Sequence, residues 1–256
     1  MSEQPTIETE ILMEPVGVRI LGDKDPRTLS EEEFEHSPDT LYHGATKDFE
    51  FSPKFDYEST AYGAETAGST TIGVGLYTSK ARAEAENYAI ERGIPNEQFV
   101  IITFLPHQAR MLDLRSNIDP SMNASFPKDL AQKWRTRYTE YLKTRKQQPG
   151  PLGIIIAASQ AKYSDYLDRV MALPSANLRI LLETAPAPAL KSRNRASPPW
   201  TGLFSHFMQQ EGFDGVIYNE GGEGREARPG ASYVFYNLNK VGTHKSWQKT
   251  NPAASK

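Results

Sequence analysis

A chain of 256 residues with 38% hydrophobic content is long enough to bury a core and still carry polar loops or tails. Its 29 basic and 32 acidic residues leave a net charge of −3, which gives no global attraction for nucleic acid or an anionic membrane, although a local basic patch stays open. It has no cysteine, which excludes disulfides, thiolate metal ligands and a cysteine nucleophile, and no apolar run nears the roughly 18 residues that a membrane-spanning helix needs.

Residues 1–38 are acidic, with few large apolar side chains, and are read as an N-terminal arm. Residues 1–10 lack the basic-then-apolar order of a secretory leader. A cytoplasmic location is therefore expected, or delivery into another cell by a specialised system that leaves no such mark. Residues 11–13 and 16–20 have short-strand character. Ser30 with Glu33 three positions later reads as a capping box. Residues 40–44 form a short strand ending at a glycine. Residues 45–71 are turn-rich, with aromatics at Phe49, Phe51, Phe55, Tyr57 and Tyr62, and have about the length of an active-site rim.

Residues 76–78 form the next strand, preceded by Gly73 and Gly75. A helix is expected over 80–92, rich in Ala and Glu and stopped by Gly93 and Pro95. Its Ala81, Ala85, Tyr88 and Ala89 share one face. The continuous run 99–105 predicts a buried strand, and 111–114 another. Residues 119–149 read as helical, with Trp134, Tyr138, Tyr141 and Leu142 on one stripe among basic residues. The plain interpretation of those charges is a solvated face; the sharper one is a contact with substrate or nucleic acid.

Residues 150–190 hold an apolar stretch at 153–158, a helix around 163–173, and a strand or helix end at 178–183. Residues 186–199, rich in Pro, Ala, Ser and Arg, break the pattern as a loop or linker. Residues 201–210 predict a short helix with Leu203, Phe204 and Phe207 on one side, ended by Gly212. Residues 213–218 are a strand. Residues 219–230 contain several glycines and glutamates and read as a loop. Residues 232–237 are the last strand, and the polar tail 243–256 is expected to fray. Strands that do not alternate regularly with helices predict an α+β fold rather than a doubly wound sheet.

Three segments carry a resemblance. They are Leu41-Tyr42-His43-Gly44, then Gly75-Leu76-Tyr77 with Tyr88 eleven positions on, and then Tyr233-Val234-Phe235-Tyr236. Together they resemble the NAD-binding core of the ADP-ribosyltransferases, in the His-Tyr-Glu branch that includes diphtheria toxin and the poly(ADP-ribose) polymerases. Glu86-Asn87-Tyr88-Ala89 and Gly212-Phe213-Asp214-Gly215-Val216-Ile217 are similar to further family segments. The likeness covers about 40–115 and 200–240. It implies one domain over 39–242, with a split mixed β-sheet core and a helical insertion at 120–200.

The resemblance also implies NAD as substrate, with His43 holding a ribose hydroxyl, Gly44 the carboxamide, and Tyr77 and Tyr88 sandwiching the nicotinamide ring. Two tyrosines can stack on a flat electron-poor ring. A carboxylate near the sugar would stabilise the positive charge that builds as the nicotinamide–ribose bond breaks. The family's glutamate falls at Ser232 here, which carries no charge. Three expectations follow: the carboxylate comes from Glu220, Glu223 or Glu226; the enzyme transfers a single ADP-ribose without it; or the site binds NAD and does nothing. The implied activity is mono-ADP-ribosyl transfer to a protein or nucleic-acid acceptor, in a toxin, a phage modifier or a host enzyme. The alternatives are an inactive binding module and an RNA 2′-phosphotransferase-like enzyme. No histidine pair has metal-ligand spacing, so no metal is expected.

Overall fold

The computed structural model describes residues 17–47, 49–52, 73, 75–91, 99–116, 123–146, 199–219 and 231–249. The strands are β1 Gly17–Leu21, β2 Leu41–Thr46, β3 Leu76–Ser79, β4 Phe99–Pro106, β5 Ala109–Asp113, β6 Gly215–Asn219, β7 Ala231–Phe235 and β8 Val241–Gly242. The helices are α1 Glu31–Glu35, α2 Arg82–Glu91, α3 Lys128–Lys146, α4 Pro199–Gln210 and α5 His244–Lys249. The strands join in one sheet in the order β1-β5-β6-β7-β3-β2-β4-β8. Only β5 and β6 run parallel; the other neighbours are antiparallel. A mixed sheet with helices that do not alternate regularly with its strands is α+β, as the sequence predicts.

Side-chain alternation gives each face of the sheet its own core. Leu41, Leu76, Phe104, Met111, Ile217 and Phe235 cluster on one face. Tyr77, Val234, Val216 and Leu112 stand in register across four strands and are all buried. Helix α4 packs against β6, and its Phe204 meets Tyr236 edge-on at 6.2 Å. Trp134 of α3 lies edge-on to Phe204, 5.1 Å away, and 5.5 Å from Phe207. The stripe expected over 119–149 is thus core at Trp134 and Tyr138, each nearly inaccessible to solvent. One basic residue of α3, Lys133, is tied to Glu211 at 2.5 Å.

Two local signals act as the sequence predicts. Ser30 accepts from the Glu33 amide, and the Glu33 carboxylate accepts from the Ser30 amide, which closes the capping box of α1. Gly212 takes a φ of 81° where α4 ends. Its amide donates to the Gln209 carbonyl, and the Phe213 amide donates to that of Met208. That pair of bonds is a Schellman cap, and its left-handed residue favours glycine.

Three expectations are corrected. Residues 17–38 are no separate arm. Strand β1 pairs with β5 over five residues, and Phe34 of α1 is buried with Leu105 and Trp247. The tail beyond residue 243 does not fray over its described part. There α5 buries Trp247, whose Nε1–H donates to the Leu105 carbonyl at 3.1 Å; one large amphipathic side chain outweighs its polar surroundings. Strand β4 is only half-buried until Phe104, because its early residues lie near one edge of the sheet. Among the described residues, no helix is long and apolar enough to cross a membrane.

Candidate functional site

The sheet is weakest between β2 and β3. These strands share a single registered pair, Tyr42 with Ser79, whereas β2 pairs with β4 over six residues. Beyond that pair, backbone groups need other partners, since a buried unpaired carbonyl is costly. His43 supplies one. Its Nδ1 lies 2.6 Å from the Tyr77 carbonyl. A carbonyl only accepts, so Nδ1 carries the proton, and in the neutral ring Nε2 is the acceptor. The imidazole is wedged beside Phe49 and Phe104, with ring centroids 5.4 and 6.3 Å away. Phe49 and Phe51, expected in a rim, pack against the core. Phe55, Tyr57 and Tyr62 lie outside the described residues.

Helix α2 covers the gap. A Cβ on Gly44 would stand 2.2 Å from the Ala85 carbonyl oxygen and 3.0 Å from the Ala89 Cβ. Gly44 is therefore required for the close approach of α2 to β2. This is a packing reason for the glycine beside the one the resemblance implies, contact with the carboxamide, and Gly44 also lines the pocket described next. Ala85 and Ala89, both buried, complete the thin seam.

A pocket of about 440 Å³, part of it open to solvent, occupies the gap. His43, Gly44, Tyr77, Tyr88 and Ser232 all line it. Residues 189 positions apart, His43 and Ser232, thus meet at one site. Tyr77 is buried, and its hydroxyl donates to the Gly73 carbonyl at 2.7 Å, which fixes the ring. Tyr88 is half-buried on α2. Ser232 is buried on β7, in register with Ser79 of β3 and Tyr218 of β6. Tyr42, Ser79, Ser232 and Tyr218 accordingly form one row across four strands. Glu220, Glu223 and Glu226 lie outside the described residues.

Sequence reasoning passed over Tyr42, Thr78, Ser79 and Glu84, which also line the pocket. Ser79 Oγ accepts from the Ala81 amide at 3.1 Å and donates to Glu84 Oε2. The other carboxylate oxygen, Oε1, is buried and has no hydrogen-bond partner among the described residues. A signal for Glu84 was present: it precedes Tyr88 by four positions, one helical turn, and so shares its face. Among the described residues, no lysine or arginine lines the pocket. Among the described residues, no group of three or more His, Asp or Glu side chains is placed to hold a metal ion.

A second polar cluster lies on the β1–β5 side. Asp113 accepts from Arg115 Nε and Nη2 at 2.8 and 2.7 Å, and Arg19 Nε is 3.0 Å away. Burial pushes the Asp113 carboxyl up, but the bonds from Arg115 and the two guanidinium charges outweigh it and hold the group below its ordinary value. No family model, no curated protein and no solved structure matches this chain.

Proposed function

We propose that this chain is an NAD-dependent mono-ADP-ribosyltransferase with an ADP-ribosyltransferase-like split sheet. The observation that carries the proposal is the convergence of His43, Tyr77 and Tyr88 on one pocket at the gap between β2 and β3. These are the residues to which the resemblance assigned NAD. The lining chemistry suits that substrate: aromatic rings for stacking, hydroxyls and an imidazole acceptor for ribose, and, among the described residues, no cationic side chain to repel a positively charged nicotinamide. In this reading Tyr77 and Tyr88 grip the ring, and His43 Nε2 accepts from a ribose hydroxyl. The acceptor is a protein side chain or a nucleic acid. The site of action is a cytoplasm, the cell's own or that of a cell into which the protein is delivered.

A second reading has one observation in its favour. Ser232 stands where the resemblance implies a glutamate, which favours a module that binds NAD without turning it over.

Nicotinamide release from NAD separates the two. It is measured for the wild type, His43→Ala and Tyr88→Ala, with and without cell lysate or RNA, and the folding of each variant is checked by thermal unfolding. The transferase reading expects release by the wild type and a loss of about 100-fold in folded variants. Binding of NAD without release under any condition favours the silent module. Wild-type rates in both variants would defeat the assignment of the pocket.

A further inference from the structure

We infer that Glu84 of α2 is the carboxylate that acts on the ribose in this pocket, a role that rests on the transferase reading above. It replaces the charge that Ser232 cannot supply. Three observations carry it. Glu84 lines the pocket together with His43, Tyr77, Tyr88 and Ser232. Its Oε2 is held by the Ser79 hydroxyl, and Ser79 is the registered neighbour of Ser232. Its Oε1 is buried without a hydrogen-bond partner among the described residues, an arrangement that folding alone disfavours and that marks an oxygen kept for a ligand. Glu86, two positions on, points its charge elsewhere, into an ion pair with Arg82 at 3.3 Å.

The bond between the ribose anomeric carbon and the nicotinamide nitrogen breaks heterolytically. Its electron pair leaves with the nitrogen, so the cationic ring departs as neutral nicotinamide. The sugar carries the positive charge, and the Glu84 carboxylate stabilises it. A lone pair of the acceptor then forms the new bond to the anomeric carbon, and the acceptor's proton passes to Glu84 or to water. No oxidant or reductant takes part. In this chain the catalytic charge comes from a helix that covers the gap in the sheet, rather than from the strand position where the resemblance implies it.

The test compares the wild type with Glu84→Gln, which keeps the shape and removes the charge. It measures kcat for nicotinamide release and the dissociation constants of NAD⁺ and NADH, whose reduced ring is neutral. The expected result is a loss of about 100-fold in kcat, unchanged affinity for NADH, and a narrowed preference for NAD⁺ over NADH. A Glu84→Gln enzyme that releases nicotinamide at the wild-type rate overturns the inference. So does a variant that folds but loses NADH along with NAD⁺, since Glu84 would then only shape the pocket. Loss of release in Glu220→Gln, Glu223→Gln or Glu226→Gln with Glu84→Gln active also overturns it. If Glu84→Gln does not fold, the wild type alone decides: a carboxylate facing the ring predicts a preference of about fivefold or more for NAD⁺, and equal affinities defeat it. A wild type that neither binds NAD⁺ nor releases nicotinamide brings down the transferase reading itself, an outcome distinct from an active Glu84→Gln.

Discussion

Two seams of the same sheet are built in opposite ways. Between β6 and β7 the ladder runs over five registered pairs. Gly215 makes the tight fit possible, because a Cβ there would stand 2.0 Å from the Val234 carbonyl oxygen. The side chains of that seam, Val216, Ile217, Val234 and Phe235, are fully buried. Between β2 and β3 only Tyr42 and Ser79 pair, and the gap gathers His43, Thr78, Ser79 and Glu84. The difference follows from backbone accounting. Where the ladder satisfies the peptide groups, side chains are left to pack. Where it opens, side chains must bond the backbone, as His43 does with the Tyr77 carbonyl. Polar chemistry therefore collects at the open seam.

The contrast is broken most forcefully from the packed side. Trp134→Ala removes a side chain that is 1% exposed and is expected to cost about 3–5 kcal/mol, read as a lowered denaturation midpoint. Nicotinamide release per folded molecule stays unchanged, since Trp134 is not among the residues that line the pocket. A large change in turnover at constant folded fraction would show that the two seams are coupled.

A smaller stability effect with a larger functional one is expected at the open seam. Gly44→Ala drives a methyl into the Ala85 carbonyl and costs about 3 kcal/mol, because a backbone atom has little room to yield. It also pushes α2, with Glu84 and Tyr88, away from β2. Affinity for NAD should fall beyond what the folded fraction explains, and calorimetric titration at a temperature where the variant is folded measures this. Full affinity would place the ligand elsewhere.

The smallest effect concerns a charged group of the tightly packed half. Asp113 is in register with Ile217, and its carboxyl is held below its ordinary value in the folded chain. The unfolded chain takes up a proton near pH 3.9, about the ordinary aspartate value. Folded Asp113 is still ionised there, so its stabilisation is complete above that pH and is lost as pH falls through the lower folded value. Asp113→Asn should cost about 1.5 kcal/mol at neutral pH and flatten the acid side of the stability profile. Equal acid sensitivity in the variant would assign the effect to other carboxylates.

Much of the local structure was legible because its causes are local. The Ser30–Glu33 capping box and the Gly212 cap each depend on residues within one helical turn. The strands expected at 40–44, 76–78 and 232–237 follow from short runs with Thr, Val and aromatic residues bounded by turn residues. Trp247 was misjudged because a polar neighbourhood says nothing of Leu105, 142 positions away, whose carbonyl it meets. The packing role of Gly44 was not legible, because its neighbour across the seam, Ala85, is invisible until α2 is docked. Glu84 shares a helical face with Tyr88 and follows its partner Ser79 by five positions, yet only the fold brings His43 and Ser232 to the same pocket.

By itself, then, the sequence determined the α+β class and most element positions, and its resemblance to a family supplied His43, Gly44, Tyr77, Tyr88, Ser232, Glu220, Glu223 and Glu226 as candidates. Periodicity, capping and turn chemistry act over a few residues and are written where they act. The tertiary structure decided that β2 and β3 part after a single pair, that a glycine lets α2 close over the gap, and that Glu84 of that helix lines the pocket with His43 and Ser232. Those facts depend on contacts between segments far apart in the chain, where sheet order and register, rather than local preference, place one side chain against another.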